Sequence, residues 1–309
     1  MNLRIGSRGS QLALWQANHI AALLRAQGHT VDIQIIKTTG DRLQEVTFAQ
    51  VGSKGMFTKE IEEALAAGSI DLAVHSLKDL PTELPDGFAL AATPQRVDPR
   101  DVFVSKKYSN LASLPQGAKV GTSSQRRRAQ LKALRPNIVS VEFRGNVDTR
   151  LRKLAEGQVD AILLAAAGLD RLEKTEWIRE RLDPGQFCPA AGQGSLGIET
   201  RKDDQATIAA LAFLDDPDTR FAVTAERAAL AALGGGCQVP IGVHCRPSTA
   251  SEVEIFAVVA APESGEAVRI YERASRTSND PVAFGHLAAR KLIAAGAGPL
   301  LASVSTVQS

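Results

Sequence analysis

The stretch Gln95-Arg96-Val97-Asp98-Pro99-Arg100-Asp101 decides how this chain is divided. It is a charged connection that contains a proline, and it leads into a short apolar strand at residues 102–104. A second, glycine-rich connection lies at residues 186–195. The chain between the two connections alternates strands with helices, as does the chain before the first one. We therefore expect one α/β block inserted into another, with the chain after the second connection completing the first block.

Two α/β lobes joined by two segments resemble the type II periplasmic-binding-protein architecture, in which a cleft separates the lobes. After residue 236 the pattern changes, because two strands at residues 254–260 and 267–272 precede a helix at residues 281–295. This order predicts a small C-terminal α+β domain. The predicted domains are 1–97 with 194–216, 98–193, and 217–309.

Composition places the chain among ordinary globular proteins. It has 309 residues, of which 44% are hydrophobic and 23% charged, and a net charge of +2. This length suits two or three domains. The N-terminus has no apolar run of signal-peptide length, and no uncharged apolar stretch could span a membrane. The three cysteines, Cys188, Cys237 and Cys245, lack C-x-x-C spacing, which argues against a disulfide framework and a structural zinc site. We expect a cytoplasmic protein with reduced thiols.

Polar residues follow two predicted strands of the first block. Arg8-Gly9-Ser10 comes after the first strand and precedes a helix that Ser10 is expected to cap. Lys78 and Asp79 follow a later strand that ends near His75. Ligands bind at the carboxyl ends of strands in open α/β sheets, so these turns are candidate anion and acid–base sites. The alternatives are a plain helix cap and plain surface charge. His75 itself is expected to be a hydrogen-bonded core residue.

Positive charge is concentrated in residues 119–153, which hold ten Lys or Arg against two acids. Arginine dominates this segment, and its planar guanidinium suits carboxylates and phosphates. Arg126, Arg144 and Arg150 lie at or near predicted helix N-termini that follow strands, which favours one shared anion site. The alternatives are a solvated helical face and a nucleic-acid surface, but Phe143 is the one aromatic residue there that could stack on a base.

Two loops carry several glycines. Leu233-Gly234-Gly235-Gly236-Cys237 follows a predicted helix, so Cys237 is expected on a flexible loop from which its sulfur could reach a cleft. The alternative is a small buried hydrophobic residue on a turn. The second loop, residues 38–55, is either a mobile lid or a solvated surface loop.

In combination, these features resemble the porphobilinogen deaminase family, also called hydroxymethylbilane synthases. The likeness spans nearly the whole chain, and its specificity comes from the order and number of the matching stretches. Gly9 and Gln125 depart from the family pattern, which has a larger polar and an apolar residue there. The matching stretches are residues 8–16, 51–55, 73–79, 98–101, 121–124, 144–146, 191–194 and 234–242.

The resemblance implies a transferase of porphyrin and heme biosynthesis. Members of the family join four porphobilinogen molecules head to tail into the linear tetrapyrrole hydroxymethylbilane and release four ammonia molecules. The growing chain is built on a dipyrromethane cofactor, which a thioether would hold to Cys237. Each pyrrole carries an acetate and a propionate, so the growing chain is a polyanion and requires arginine and hydroxyl partners.

The resemblance also implies the residues of the site. Asp79 and Lys78 are the expected catalytic residues, with the Asp79 carboxylate stabilising positive charge beside the pyrrole N–H groups. The residues expected to bind the cofactor are Cys237, Ser10, Lys78, Asp79, Thr122, Ser123, Ser124, Arg126, Arg127, Arg144 and Gly145. The residues expected to bind substrate are Arg8, Ser10, Gln16, Arg144, Arg150, Arg171 and Gln193. Neither a metal nor a nucleotide is expected.

Two other functions fit part of the sequence. A periplasmic ligand-binding protein would explain two lobes and an anion cleft. It would not explain Cys237 on its glycine loop, and the lack of a signal sequence argues against it. A basic nucleic-acid binder is disfavoured by the net charge of +2 and by the scarcity of aromatic residues. We therefore expect a monomeric enzyme whose partner is porphobilinogen, without nucleic acid or membrane.

Overall fold

The computed structural model describes residues 1–39, 58–235, 239–276 and 280–306, with side chains up to residue 302. The chain forms two compact units. The first consists of Met1–Val97 and Gly194–Arg220, and the second of Asp98–Gln193 and Phe221–Ser309. The chain thus leaves the first unit and returns to it at the two connections that the sequence indicates.

The first unit contains a five-stranded mixed sheet in the order β2-β1-β3-β10-β4. β1, β2 and β3 run parallel, and β10 runs antiparallel to both of its neighbours. The strands are β1 (Asn2–Ser7), β2 (Thr30–Ile35), β3 (Leu72–Ser76), β4 (Phe88–Ala92) and β10 (Leu196–Arg201). The helices are α1 (Gln11–Ala26), α2 (Lys59–Ala66) and α6 (Gln205–Leu211).

The core of the first unit forms because α1 is apolar along one side. Ala17, Ile20 and Leu24 recur at helical spacing and are fully buried, together with Leu3 and Ile5 of β1. The sequence predicts an apolar line of Ala13, Ala17, Ile20 and Leu24 on this helix. The structure confirms it from Ala17 onward, whereas Ala13 is only half-buried. Packing of this line on the sheet fixes the start of α1 beside the end of β1.

The second unit contains a sheet of the same design, in the order β7-β6-β8-β5-β9. β6, β7 and β8 run parallel, and β5 runs antiparallel to both of its neighbours. The strands are β5 (Asp101–Val104), β6 (Lys119–Gly121), β7 (Val139–Val141), β8 (Ala161–Ala165) and β9 (Ile178–Arg181). The helices are α3 (Gln125–Leu134), α4 (Val147–Ala155) and α5 (Ala166–Arg171).

The C-terminal part of the second unit is an antiparallel sheet in the order β11-β12-β13. Its strands are β11 (Ile241–Pro247), β12 (Glu252–Ala260) and β13 (Ala267–Ser275). The helix α7 (Pro217–Ala232) leads into it. On one face, alternate residues of β12 such as Ile255 and Ala257 pack against Phe284 and Ala288 of α8 (Pro281–Leu292).

The predicted class, α/β lobes followed by a small α+β domain, is confirmed by these three sheets. The sequence did not indicate β4, β9 or β11. The last predicted helix was too long, because α8 ends at Leu292 and a π-helical segment, Ile293–Ala297, precedes α9 (Gly298–Thr306). Gly296 has a φ of 101°, which interrupts a regular helix. In the part of the chain that the structure describes, no helix is long and apolar enough to cross a membrane.

Candidate functional site

In the first unit, the turn after β1 forms as the sequence predicts. Ser10 caps α1, because its backbone is extended and its hydroxyl accepts a hydrogen bond from the N–H of Ala13 at 3.3 Å. Arg8 lies half-buried in the same turn. A cation and a helix N-terminus therefore lie together at the carboxyl end of a parallel strand, an arrangement that suits an anion.

Gln16 lies on α1, and its side chain binds the end of the neighbouring strand, β3. Its side chain is 2% exposed, and its amide nitrogen donates a hydrogen bond to the Ser76 hydroxyl at 2.8 Å. Ser76 is the last residue of β3 and directly precedes the turn that carries Lys78 and Asp79. Gln16 therefore holds the start of this turn against α1, a role that its apolar surroundings in the sequence did not suggest.

Asp79 is presented on a short 3-10 turn, Leu77–Asp79. Leu77 and Leu80 on either side are 1% and 3% exposed, whereas Asp79 is exposed and Lys78 half-buried. The backbone N–H of Leu77 donates to the carbonyl of Ser195 at 3.0 Å, which ties the turn to the segment before β10. The two buried leucines anchor the turn and leave the carboxylate accessible, as a group that meets substrate must be.

His75 is a core histidine, as expected. It is buried in β3, and its Nε2 lies 2.9 Å from Oε2 of the fully buried Glu199 on β10. The pair joins two adjacent strands of the first sheet.

In the second unit, hydroxyl groups line the turn between β6 and α3. Ser124 caps α3 and accepts a hydrogen bond from the N–H of Arg127 at 3.4 Å. The Ser123 hydroxyl donates to the carbonyl of Phe143 at 2.7 Å, and the buried Thr122 hydroxyl accepts from the N–H of Ser124 at 3.2 Å. These bonds join the end of β6 to the chain that follows β7.

Arg126 and Arg127 share an acidic partner, Asp101. Arg126 Nη1 lies 2.6 Å from one carboxylate oxygen, and Arg127 approaches the other through Nη2 at 2.7 Å and Nε at 3.0 Å. The two arginines are 4% and 6% exposed, and Asp101 is fully buried. Burial opposes ionisation of Asp101, but the charges of both arginines outweigh it and hold the pKa of this carboxyl well below its usual range.

Gln193 completes this cluster from the second connection. Its amide nitrogen donates to Asp101 Oδ1 at 2.9 Å and to the carbonyl of Pro99 at 2.8 Å. Arg126 Nη1 also donates to the carbonyl of Cys188 at 2.6 Å. One buried carboxylate therefore joins the start of α3 to both connecting segments of the chain.

The turn between β7 and α4 carries Arg144, Gly145 and Asn146. Gly145 has a φ of +120°, and a Cβ there would lie 2.6 Å from Thr149 Cγ2, so this position requires glycine. Asn146 caps α4 by accepting a hydrogen bond from the N–H of Thr149 at 2.9 Å. Arg144 Nε donates to Glu142 Oε1 at 2.6 Å. Arg150 lies near the start of α4 and is half-buried.

Arg171 is the most deeply buried of the other predicted arginines. It ends α5 and is 7% exposed, and burial lowers its pKa to about 10. Cys237 and its neighbours Gly236 and Gln238 lie outside the described residues, as does most of the predicted loop at residues 38–55.

Sequence reasoning missed the acids that organise the second unit. The sequence indicated Asp101 only as part of a charged connection. The ten basic residues at 119–153 were a possible signal, because buried arginines need acidic partners within the protein as well as ligands. Glu226 was read as part of a helix, yet its carboxylate accepts hydrogen bonds from the N–H of Gly192 at 2.6 Å and of Cys245 at 2.7 Å. Glu226 is fully buried and joins α7 to the second connection and to β11.

Comparison with known families gives two matches. Residues 3–209 match the model described as "Porphobilinogen deaminase, dipyromethane cofactor binding domain". Residues 220–294 match the model described as "Porphobilinogen deaminase, C-terminal domain".

Several curated proteins are similar to the chain over its full length. The porphobilinogen deaminase of Trichlorobacter lovleyi is 50% identical over 304 residues, which cover 98% of this chain and 96% of that protein. The porphobilinogen deaminase of Chromobacterium violaceum is 50% identical over 302 residues, with 97% of each chain covered.

Two solved structures share the general fold at much lower sequence identity. The methionine binding protein MetQ has a TM-score of 0.44 at 14% identity, covering 69% of this chain and 89% of its own. A periplasmic VFT2 domain of Bordetella pertussis BvgS has a TM-score of 0.43 at 14% identity, covering 68% and 85%. A likeness of this size says nothing about function.

Proposed function

The chain belongs to the porphobilinogen deaminase family, and from this premise we propose that it joins four porphobilinogen molecules into hydroxymethylbilane with release of four ammonia molecules. The enzyme would be a transferase, and its substrate would be porphobilinogen. The observation that carries the proposal is the match to the family over both parts of the chain, residues 3–209 and 220–294.

We propose that Cys237 holds a dipyrromethane cofactor through a thioether. When bound, the cofactor supplies the pyrrole end to which the first substrate molecule is added. The donors in the second unit fit such an acidic group. The starts of α3 and α4 present hydroxyl and backbone N–H groups beside arginines, and Gly145 has no side chain that would obstruct an approach to the backbone.

The proposed catalytic residues are Asp79 and Lys78. Asp79 is an exposed carboxylate on an anchored turn, so it can lie beside pyrrole N–H groups and stabilise positive charge that develops on the rings. The same carboxylate can accept and return a proton during the substitution at the pyrrole carbon. Lys78 would bind a substrate carboxylate next to it.

The proposed carboxylate binders fall into two groups. Some are placed directly at turns after strands. Others hold these turns in place through buried hydrogen bonds, as Gln16 does with Ser76, and Gln193 with Asp101. The first group is Arg8, Ser10, Thr122, Ser123, Ser124, Arg144 and Arg150. The second is Gln16 and Gln193 together with Arg126 and Arg127, which bind Asp101. Arg171, buried at the end of α5, is also proposed to bind a carboxylate.

We further propose three domains, residues 1–97 with 194–216, residues 98–193, and residues 217–309. The enzyme would act as a monomer in the cytoplasm, where the thiols of Cys188 and Cys245 stay reduced.

The mass of the intact purified protein tests the proposal. We expect a mass that exceeds the value calculated from the sequence by one dipyrromethane, and a peptide carrying this adduct at Cys237. Cys237→Ala should have the calculated mass and should not convert porphobilinogen. Cys245→Ala is the matched control, since Cys245 is a buried core residue, and it should keep the adduct. An unmodified wild-type protein that nevertheless forms hydroxymethylbilane would contradict the thioether. An adduct mapped to Cys188 or Cys245 would reject Cys237.

A further inference from the structure

A cavity of about 240 Å³ lies within the second unit, between the second connection and the C-terminal sheet. Pro184, Gly185 and Cys188 line it on one side. Phe256 and Ala257 of β12 and three residues of β13, Arg269, Ile270 and Tyr271, line the other. The Phe256 side chain lies on the face of the sheet opposite α8, because its neighbours Ile255 and Ala257 in β12 pack on α8. None of the residues proposed to hold the pyrrole chain lines the cavity.

Arg269 of β13 contributes a guanidinium to this cavity. Its Nη1 reaches only Gln130 Oε1, at 3.5 Å, and its Nη2 is buried without a hydrogen-bond partner in the described part of the chain. No acidic side chain among the described residues pairs with Arg269. Burial lowers the pKa of Arg269. Arg269 is half-buried, but a guanidinium with one buried, unused donor and no counter-ion is costly to fold, and an anionic ligand would satisfy both deficits.

Cys188 does not act as the missing anion. Its thiol is 1% exposed, and burial raises its pKa to about 12. The thiol is therefore neutral at physiological pH. It contributes to an otherwise apolar wall, and its Sγ lies 3.5 Å from the carbonyl oxygen of Phe256.

The other walls of the cavity are aromatic. The rings of Phe256 and Tyr271 are 5.0 Å apart and tilted by 43°. The Tyr271 hydroxyl donates to Glu254 Oε2 at 2.9 Å, which holds this ring in place. A drug-sized ligand occupies roughly 300–1,000 Å³, so a cavity of this size suits a smaller molecule. The occupant should have a flat apolar body and one negative charge.

We propose that this cavity binds a small aromatic carboxylate, with its charged group at Nη2 of Arg269 and its ring against Phe256 and Tyr271. The carboxylate would supply the acceptor that Nη2 lacks, in a charge-assisted hydrogen bond. A ligand held there would contact both the second connection and the C-terminal sheet. The cavity shares no lining residue with the site proposed for the pyrrole chain, although Arg126 adjoins it through the carbonyl of Cys188.

Fluorine NMR of the cofactor-loaded enzyme labelled with 3-fluorotyrosine tests this site directly. The protein has two tyrosines. Tyr271 lines the cavity, and Tyr108 packs in a different core and serves as an internal control. In a benzoate titration, the Tyr271 resonance should shift to saturation while the Tyr108 resonance stays in place. Acetate, which has no ring, should need a concentration at least about tenfold higher.

Arg269→Gln should weaken benzoate binding by at least about tenfold, since it removes one charge-assisted hydrogen bond. Arg290→Gln is the matched control, because Arg290 is exposed on α8 and packs on the other side of the sheet. It should leave the titration unchanged. Three results would each overturn the proposal. Arg269→Gln could bind benzoate as tightly as the wild type does, or benzoate could shift both tyrosine resonances equally. Acetate and inorganic phosphate, titrated separately, could shift the Tyr271 resonance at the same concentrations as benzoate. The acetate and phosphate titrations use the wild-type protein, so they decide the question even if Arg269→Gln folds poorly.

Discussion

At the scale of single residues, substitution of Asp101 should have a large effect on folding. It is fully buried and accepts hydrogen bonds from two buried arginines and from Gln193. Asp101→Asn keeps the shape but leaves two buried cations without their counter-ion. Breaking a buried ion pair in this way costs about 3–5 kcal/mol. Urea unfolding at pH 7 should show this loss. Glu156→Gln, which breaks an exposed pair with Arg152, should cost about 1 kcal/mol or less.

The same carboxyl makes this difference depend on pH. Because the folded state holds the pKa of Asp101 far below its unfolded value of about 4, its stabilising contribution is complete above pH 4. As the pH falls below 4, the unfolded state takes up a proton that the folded state does not, and the contribution is lost. The gap in unfolding free energy between the wild type and Asp101→Asn should therefore shrink from pH 5 to pH 3. A gap that stays constant over this range would show that Asp101 is not ionised in the fold.

Cys188 should resist alkylation. Burial raises the pKa of its thiol to about 12, so almost no thiolate exists at pH 8, and its side chain is 1% exposed. Cys245 is equally buried. After treatment of the native protein with iodoacetamide at pH 8, peptide mass spectrometry should find both cysteines unmodified. In urea both should react fully, which serves as the control. Rapid modification of Cys188 in the native state would mean that the cavity beside it opens to reagent.

The sequence predicted single residues where the cause is local. The structure confirms that Ser10 caps α1 and that His75 is a hydrogen-bonded core residue. Both could be predicted because each follows from the residue type and its place in a strand or turn. The partners of Arg126 and Arg127 could not be predicted in this way. Asp101 lies 25 residues before Arg126, and an aspartate in a charged connection gives no sign that it will be buried.

At the scale of elements, several helices in both units begin at side-chain caps, whereas α2 and α5 do not. Ser10, Ser124, Asn146 and Asp280 each accept a hydrogen bond from a backbone N–H three residues later. The sequence predicted the cap at Ser10 correctly, because a cap depends on four consecutive residues. The helix ends were less predictable. The change from α8 to a π-helical segment depends on Gly296 and on packing against the C-terminal sheet.

Asn146 offers a clean test of one such cap. It starts α4 by accepting from the N–H of Thr149 at 2.9 Å, and it is exposed. Asn146→Ala should lower the free energy of unfolding by about 1 kcal/mol, because the N–H of Thr149 loses its partner. Asn146→Ser supplies another capping oxygen and should keep most of the stability. Urea unfolding of the three proteins measures the difference. An equal loss in both variants would show that the amide of Asn146 has another structural role.

At the scale of the whole molecule, two sheets with the same strand order carry different parts of the proposed site. In each, three parallel strands are followed by an antiparallel strand that comes from a connection between the units. The sequence predicted this division because both connections are rich in proline, glycine and charge. It did not predict β4 and β9, since these short edge strands have no clear alternation and form by pairing with distant segments.

This division separates the proposed catalytic carboxylate from most of the proposed carboxylate binders. Asp79 belongs to the first unit, whereas Arg144 and Arg150 belong to the second. Removing the charge of Asp79 should therefore affect the chemical step and leave the donors of the second unit intact. Asp79 is exposed and lies between two buried leucines that anchor its turn, so its substitution should not disturb the fold.

We expect Asp79→Asn to lower kcat by roughly two to four powers of ten, the usual cost of losing general acid–base help. It should fold normally and keep the adduct on Cys237, which intact-mass measurement checks. Asp79→Glu keeps the charge and should be more active than Asp79→Asn. Arg144→Leu is the contrasting variant, because weakened carboxylate binding should impair cofactor assembly or raise KM. If kcat in Asp79→Asn equals that of the wild type, or if the Asn and Glu variants are equally active, another acid performs the proton transfer. Asp79 would then serve only as the surface partner of Lys78.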